Sequence, residues 1–160
     1  MNVVKWSSCV KEDVDGKRYF NGVYTLTTPI ESQETTNNNT IKEHGHCSFV
    51  VVFDDSIIYV TFITLNEDHR GRGFGTALLY EILRDVYDNY GIKTVSLDDM
   101  SDNSRQKNNI YKKMGMYYTS TDCSMRGNLR HILYGKSVRV DKYRTLLTSL
   151  TQSESSTDTK

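Results

Sequence analysis

The chain has 160 residues, a length typical of one domain with a sizeable hydrophobic core. Its 20 basic residues balance its 20 acidic residues, so no net charge attracts it to nucleic acid or to an acidic membrane surface. We therefore expect no nucleic-acid partner and no membrane partner. Short apolar runs, a start that lacks a signal-peptide pattern and three widely spaced cysteines together predict a soluble, cytoplasmic protein in a reducing compartment.

The first third of the chain has the least regular pattern. Residues 17–28 place aromatic and β-branched side chains around Asn21-Gly22, which predicts either a hairpin or one bulged strand. Pro29 and the polar residues 31–40 that follow it predict a loop. Little helical periodicity is present between Val10 and Thr40.

From Cys47 onwards the pattern becomes regular. Two apolar segments, 47–53 and 57–65, predict interior strands that are joined by a short turn. Residues 75–90 then follow the spacing of an amphipathic helix, and Gly91 is placed to end it. The remaining predicted elements are a strand over 92–97, a helix from Asn103 or Ser104 to Met114, and strands over 117–121 and 129–134.

This order of elements predicts an α/β (α+β) sheet with helices on its faces. A strand, a helix and a second strand in succession favour a parallel pair with a right-handed crossover. We place one domain over residues 1–147. The polar residues 148–160 predict a disordered C-terminal tail.

Three glycines and two arginines lie within Arg70–Gly75, where the predicted helix begins. A helix N-terminus presents unpaired N–H groups, and glycines allow a phosphate to approach them. A phosphate-loop nucleoside triphosphatase would need a lysine, followed by serine or threonine, after the glycines. No such lysine follows Gly75. A dinucleotide-binding fingerprint would need glycine or alanine where Thr76 stands. The pyrophosphate of coenzyme A is the third candidate, and a glycine turn with two solvated arginines and no ligand is the alternative.

The segment Arg70-Gly71-Arg72-Gly73-Phe74-Gly75 resembles the signature of the GNAT family of N-acetyltransferases, Arg/Gln-x-x-Gly-x-Gly/Ala. A second family element is a helix led by asparagine that ends in Leu-Tyr-x-x-x-Gly-Phe. Residues 103–116 match it at Ile110-Tyr111 and at Gly115-Met116. The two motifs occur in the order and at the separation typical of the family. The family's N-terminal helices, which shape the acceptor pocket, have no clear counterpart here.

The resemblance implies a mixed central sheet of about six to seven strands, with helices on both faces. The sheet would be splayed between the strand that ends near Leu65 and the strand that ends near Leu97, and the pantetheine arm of acetyl-CoA would lie in the gap. It implies contacts to acetyl-CoA from the following residues: Ile63, Thr64, Leu65, Arg70, Gly71, Arg72, Gly73, Phe74, Gly75, Thr76, Asn103, Ser104 and Tyr111. Side chains at positions 71, 73 and 75 would keep phosphate oxygens from the backbone N–H groups.

The same resemblance implies that Tyr111 donates a proton to the departing sulfur. The base is less well defined, because the strand before the glycines contains no acid. We predict Asp98 as its substitute; Asp99, Glu67 and a water relay are the alternatives. His44 and His46 would share a face of a regular strand, but no second ligand pair follows, so we expect no metal and place one histidine near the acceptor pocket.

The predicted function is therefore acetyl transfer from acetyl-CoA to a primary amine, by direct attack in a ternary complex. The acceptor would be a small-molecule amine, a lysine or a protein N-terminus, and the protein would act as a monomer or a homodimer. The alternative is a non-catalytic acyl-CoA-binding or protein-interaction module on the same fold.

Overall fold

A computed structural model describes residues 2–29, 41–99, 110–119 and 123–135. The predicted contacts at Asn103 and Ser104 and the predicted tail over 148–160 lie outside these ranges. None of the helices in the described ranges has the length and the apolarity to cross a membrane.

The described residues form one mixed sheet, as predicted. Its strands are β1 (Asn2–Ser7), β2 (Lys11–Glu12), β3 (Arg18–Pro29), β4 (Ile41–Val52), β5 (Ile57–Leu65), β6 (Thr94–Asp98), β7 (Tyr117–Tyr118) and β8 (Ser124–Asn128). The spatial order is β1-β3-β4-β5-β6-β8-β7, and β2 also pairs with β3. Only β5 and β6 pair in parallel, and the long helix that joins them makes the predicted crossover.

Three helices accompany the sheet: α1 (Phe74–Tyr90), α2 (Ile110–Met114) and α3 (Leu129–Tyr134). Helix α1 begins after Gly73 and ends at Gly91, and both glycines adopt the left-handed conformation. Its buried side chains include Leu78, Ile82 and Val86, which follow the helical spacing that the sequence predicted.

The prediction of a strand over 129–134 is wrong, because these residues form α3. The side chain of Asn128 accepts a hydrogen bond from the backbone N–H of His131 and so caps the helix. Leu129, Ile132 and Leu133 are buried, and this i, i+3, i+4 spacing suits a helix rather than a strand. The strand that pairs with β6 is instead β8, just before α3.

Strand β3 is a single strand, the second of the two predicted alternatives. Its register with β4 shifts between Leu26 and Thr27, where His44 is an extra residue on the β4 side. Gly22 is not part of a turn. It lies opposite Phe49, and a Cβ atom on Gly22 would come within 2.2 Å of the Phe49 ring.

The described helices all lie on one face of the sheet. Tyr24 and Lys5 reach Asp85 of α1 from this face, with distances of 2.6 Å and 2.9 Å. Helix α3 packs beside α1, and the Tyr134 hydroxyl donates a hydrogen bond of 3.0 Å to Asp88. A Cβ on Gly115, directly after α2, would come within 3.1 Å of the His131 ring of α3. We expected helices on both faces, and the described helices account for only one.

The face opposite α1 carries exposed aromatic side chains. Trp6, Val23, Ser48 and Phe62 follow one another across β1, β3, β4 and β5 in the strand register. Trp6 is 55% exposed and Phe62 is 56% exposed. No helix is present in residues 2–29, in line with the lack of helical periodicity in the sequence there. We call this surface the open face.

Candidate functional site

Strands β5 and β6 separate partway along their length. They pair from Ile57–Thr94 to Val60–Leu97, and β5 then continues to Leu65, where no described strand pairs with it on that side. The residue at this point, Thr61, is an extra residue in the register of β5 with β4. The predicted splay is therefore present, and it leaves backbone groups of residues 61–65 facing the gap.

A cavity of about 250 Å³ occupies this gap. It is lined by Ile63, Thr64, Leu65, Arg70, Gly75, Thr76, Leu79, Ile110 and Tyr111. Seven of these residues are predicted site residues from three separate parts of the sequence. The prediction did not include Leu79 and Ile110, although Leu79 lies on the apolar side of the predicted helix and Ile110 precedes Tyr111 in the second motif. The other predicted residues of this segment do not line the cavity. They are Gly71, Arg72 and Gly73 in the adjoining turn and Phe74 at the start of α1.

The three glycines of the turn have two different structural roles. Gly71 and Gly73 have backbone φ angles of 73° and 85°. Residues that carry a Cβ atom rarely adopt this conformation. Gly75 instead allows α1 to approach β5, because a Cβ there would lie 3.0 Å from Leu65 Cδ1. No side chain caps the N-terminus of α1, so its first N–H groups are available to an anion.

The two arginines of the turn are held differently. The Nε of Arg70 donates a hydrogen bond of 3.0 Å to the Leu65 carbonyl and so ties the turn to the end of β5. The guanidinium of Arg72 lies over the ring of Phe74, 5.1 Å from its centroid. Both cations therefore lie beside the uncapped helix end, an arrangement that suits an anionic ligand.

Tyr111 projects from α2 into the cavity. Burial raises the pKa of its hydroxyl, and the negative charge of Asp99 raises that pKa further. The hydroxyl therefore stays protonated at neutral pH, as a proton donor must be. Asp99 is 3% exposed, and its backbone N–H donates to the Cys123 carbonyl at 2.9 Å.

Asp98, the predicted base, does not line the cavity. It follows the buried Leu97 on β6, so its side chain points to the open face. Its Oδ1 accepts a hydrogen bond of 2.9 Å from the Ser124 hydroxyl. Glu67, an alternative base, is exposed in a short 3-10 helix ahead of the glycine turn.

His44 and His46 do not share a face, which corrects the prediction made for a regular strand. His44 is the extra residue of the bulge in β4, and its side chain points towards α1. There its ring centroid lies 4.3 Å from that of His69, and its Nε2 lies 2.6 Å from the Thr28 hydroxyl. The ring of His46 instead lies beside Phe62 on the open face. In the described ranges, no group of three or more His, Cys, Asp or Glu residues could hold a metal ion.

Several solved structures are similar to this chain at low sequence identity. An acetyltransferase from Bacillus cereus is 20% identical, with 66% of this chain and 71% of that chain covered and a TM-score of 0.41. A mutant of the AtaT toxin bound to the C-terminus of the antitoxin AtaR is 8% identical, with 82% and 96% covered and a TM-score of 0.50. A mutant of the spermidine N-acetyltransferase SpeG from Vibrio cholerae is 12% identical, with 71% and 69% covered and a TM-score of 0.49.

Comparison with protein families identifies the chain directly. No curated protein matched it. The model of the acetyltransferase (GNAT) family matches residues 33–116, a span that contains β4, the glycine turn, α1 and Tyr111. The same span contains β5 and α2, and every residue that lines the cavity lies within it, so the family match and the geometry concern the same part of the chain. The protein belongs to the acetyltransferase (GNAT) family.

Proposed function

We propose that the protein is an N-acetyltransferase that uses acetyl-CoA to acetylate a primary amine. The observation that carries this proposal is the cavity at the splay, where Thr64 of β5, Gly75 of α1 and Tyr111 of α2 meet. A small-molecule amine, a lysine side chain or a protein N-terminus is the proposed acceptor.

The donor would be held by two different parts of the site. The uncapped N–H groups at the start of α1, with Arg70 and Arg72 beside them, suit the pyrophosphate of coenzyme A. On the side of the gap, backbone groups of residues 61–65 pair with no described strand and so suit the amides of the pantetheine arm, in the way that an edge strand pairs with an extended chain. Fixing donor and acceptor together removes much of the entropic barrier to reaction.

Acetyl transfer to a neutral amine requires two proton transfers. One proton leaves the amine nitrogen, and a second proton reaches the departing sulfur. Tyr111 supplies the second, because its raised pKa keeps the phenol protonated while the thiolate departs. Backbone N–H groups near Leu65 would stabilise the negative charge that develops on the carbonyl oxygen of the thioester.

Calorimetry with acetyl-CoA tests this proposal. Gly71 and Gly16 form a matched pair for variants, because both have a positive φ and a Cβ atom on either would meet nothing within 4 Å. We expect Gly71→Val to abolish acetyl-CoA binding and Gly16→Val to retain it, although both substitutions strain the backbone. Lack of acetyl-CoA binding to the wild-type protein at high micromolar concentration would refute the proposal.

A non-catalytic acyl-CoA-binding module is the second candidate function. It is favoured by the lack of a carboxylate on β5 and by the absence of helices from residues 2–29. Release of free thiol from acetyl-CoA over a panel of amines and peptides separates the two candidates, because a module binds acetyl-CoA without turnover. The proposed partners are amines and peptides rather than nucleic acid. The cytoplasmic location and the monomeric or homodimeric state also stay predictions from composition.

A further inference from the structure

We propose that His46 is the general base that deprotonates the acceptor amine, and that Glu43 is the residue that positions it. This inference rests on the proposed function and names the acceptor side of the same site. His46 Nδ1 lies 2.8 Å from Glu43 Oε1. In the neutral imidazole, Nδ1–H donates to the carboxylate, and the lone pair is then on Nε2.

The β-bulge in β4 creates this pair. In a regular strand, residues 43 and 46 would point to opposite faces, because side chains alternate. The register with β3 passes from Leu26–Gly45 to Thr27–Glu43 and leaves His44 as the extra residue. Glu43 and His46 therefore emerge on the same face, where the hydrogen bond between them forms.

The pair lies on the open face of β4, and β5 separates it from the splay. His46 is opposite Thr64 in the register of β4 with β5, and opposite residues in such a pair have Cβ atoms about 4.5–5.5 Å apart. Thr64 lines the cavity proposed for the thioester. The His46 ring also contacts the Phe62 ring, with 5.7 Å between centroids. An amine that approaches from the open face would therefore meet His46 on the strand next to β5.

The surroundings of His46 leave Nε2 free to accept a proton. Among the residues that the structure describes, Nε2 has no hydrogen-bond partner, and the side chain is 31% exposed. Thr25 of β3 and Thr64 and Phe62 of β5 face His46 and carry no charge. Glu43 is thus the charged group that contacts the imidazole within the described ranges.

The other candidate bases are less well placed. Asp98 already accepts a hydrogen bond from Ser124, and Asp99 is buried on the Tyr111 side of the sheet. The imidazole of His44 is hydrogen-bonded to the Thr28 hydroxyl, and it is buried against the ring of His69 on the α1 side of the sheet. His46 combines an orienting partner, an available nitrogen and a position on the strand next to β5, opposite Thr64.

The proposed step balances as follows. The amine nitrogen forms a bond to the acetyl carbon, and the bond between that carbon and the sulfur breaks. The proton lost by the nitrogen passes to Nε2 of His46. The departing thiolate takes the proton of the Tyr111 hydroxyl, and both side chains then exchange protons with solvent. The products are the acetylated amine and free coenzyme A.

Steady-state kinetics with spermidine, L-lysine and a peptide with a free N-terminus test this assignment. We expect His46→Gln to lower kcat/KM at least about 100-fold, the range of general-base catalysis, with unchanged acetyl-CoA binding. His131→Gln is the matched control, since His131 is exposed on α3, and it should retain activity. Glu43→Gln should cause a smaller loss, confined to kcat with KM unchanged, because an amide orients the imidazole less firmly than the carboxylate does.

Chemical rescue separates a catalytic role from a structural one. Added imidazole should restore turnover to His46→Ala if the missing group is a base, and a merely structural histidine would not respond. Activity in His46→Gln equal to that of the wild-type protein would overturn the inference while the proposed function stands. Loss of turnover in Asp98→Asn but not in His46→Gln would assign the base to Asp98 instead. A wild-type protein that binds acetyl-CoA but acetylates none of the three amines would overturn both the enzymatic function and this assignment.

Discussion

Gly75 in the first turn of α1 packs against Leu65 at the end of β5, and a Cβ at position 75 would lie 3.0 Å from Leu65 Cδ1. Both residues line the cavity at the splay. The contact fixes how closely the start of α1 approaches the strand. It therefore couples the helix end, proposed for the pyrophosphate, to the strand end, proposed for the pantetheine arm.

The substitution Gly75→Ala is expected to weaken acetyl-CoA binding several-fold without loss of stability. Alanine favours a helix by about 1 kcal/mol over glycine, so the fold tolerates the change. The new methyl group pushes Leu65 towards the cavity and narrows it. Calorimetry with acetyl-CoA, together with urea unfolding, measures the two effects separately. Equal binding by variant and wild type would show that the contact does not control the site.

The substitution Tyr111→Phe is expected to lower kcat about 100-fold or more with little change in acetyl-CoA affinity. Phenylalanine keeps the packing and removes the proton donor. Because the pKa of Tyr111 is raised above its usual value of 10.0, the wild-type rate should not fall until the pH passes 10.0. Tyr117→Phe, at an exposed position on β7, is the matched control. A full rate in Tyr111→Phe would contradict the assigned role.

Acidification is expected to destabilise the fold through His44. Burial lowers the pKa of His44 below its ordinary value of 6.5, and the neighbouring His69 lowers it further. Below pH 6.5 the unfolded chain therefore binds more protons at this residue than the folded chain. The free energy of unfolding then decreases as the pH decreases. His44→Gln should lose less unfolding free energy than the wild type between about pH 7.5 and about pH 5. Parallel urea titrations measure the difference, and identical losses would contradict the prediction.

The substitution Gly22→Ala is expected to destabilise the protein by about 1–3 kcal/mol, the range for overpacking a core. A Cβ on Gly22 would come within 2.2 Å of Phe49, a residue that is 3% exposed. Phe49→Leu removes the far end of the ring, so the double variant should recover part of the loss. Unfolding free energies of the single and double variants form the test cycle. Additive losses would show that the contact is not responsible.

The local parts of the site followed from the sequence because their physics is local. The glycine-rich start of α1 was readable, since a helix N-terminus and an anion site depend on consecutive residues. The regular spacing of apolar residues likewise predicted α1 and the interior strands. The cap at Asn128 was a local signal too, and it would have distinguished α3 from the strand predicted there.

The pairing of residues across strands could not be obtained in this way. Gly45 is a local signal of a bulge, but residues 43–46 do not show which of them becomes the extra one, because that depends on the register of β4 against β3. That register decides whether Glu43 meets His46 and whether His44 is buried. The role of Gly22 is also set by its partner Phe49 across the strand pair rather than by its neighbour Asn21.

The sequence by itself determined the helix that begins at the glycine turn, the buried strands on either side of it and the family to which the chain belongs. The tertiary structure alone decided which residues from distant segments line the cavity, and which face of the sheet each titratable group occupies. The physical reason is that side-chain direction alternates along a strand, so a single extra residue reverses it. Such a reversal depends on contacts with neighbouring strands, and the local spacing of residues does not specify those contacts.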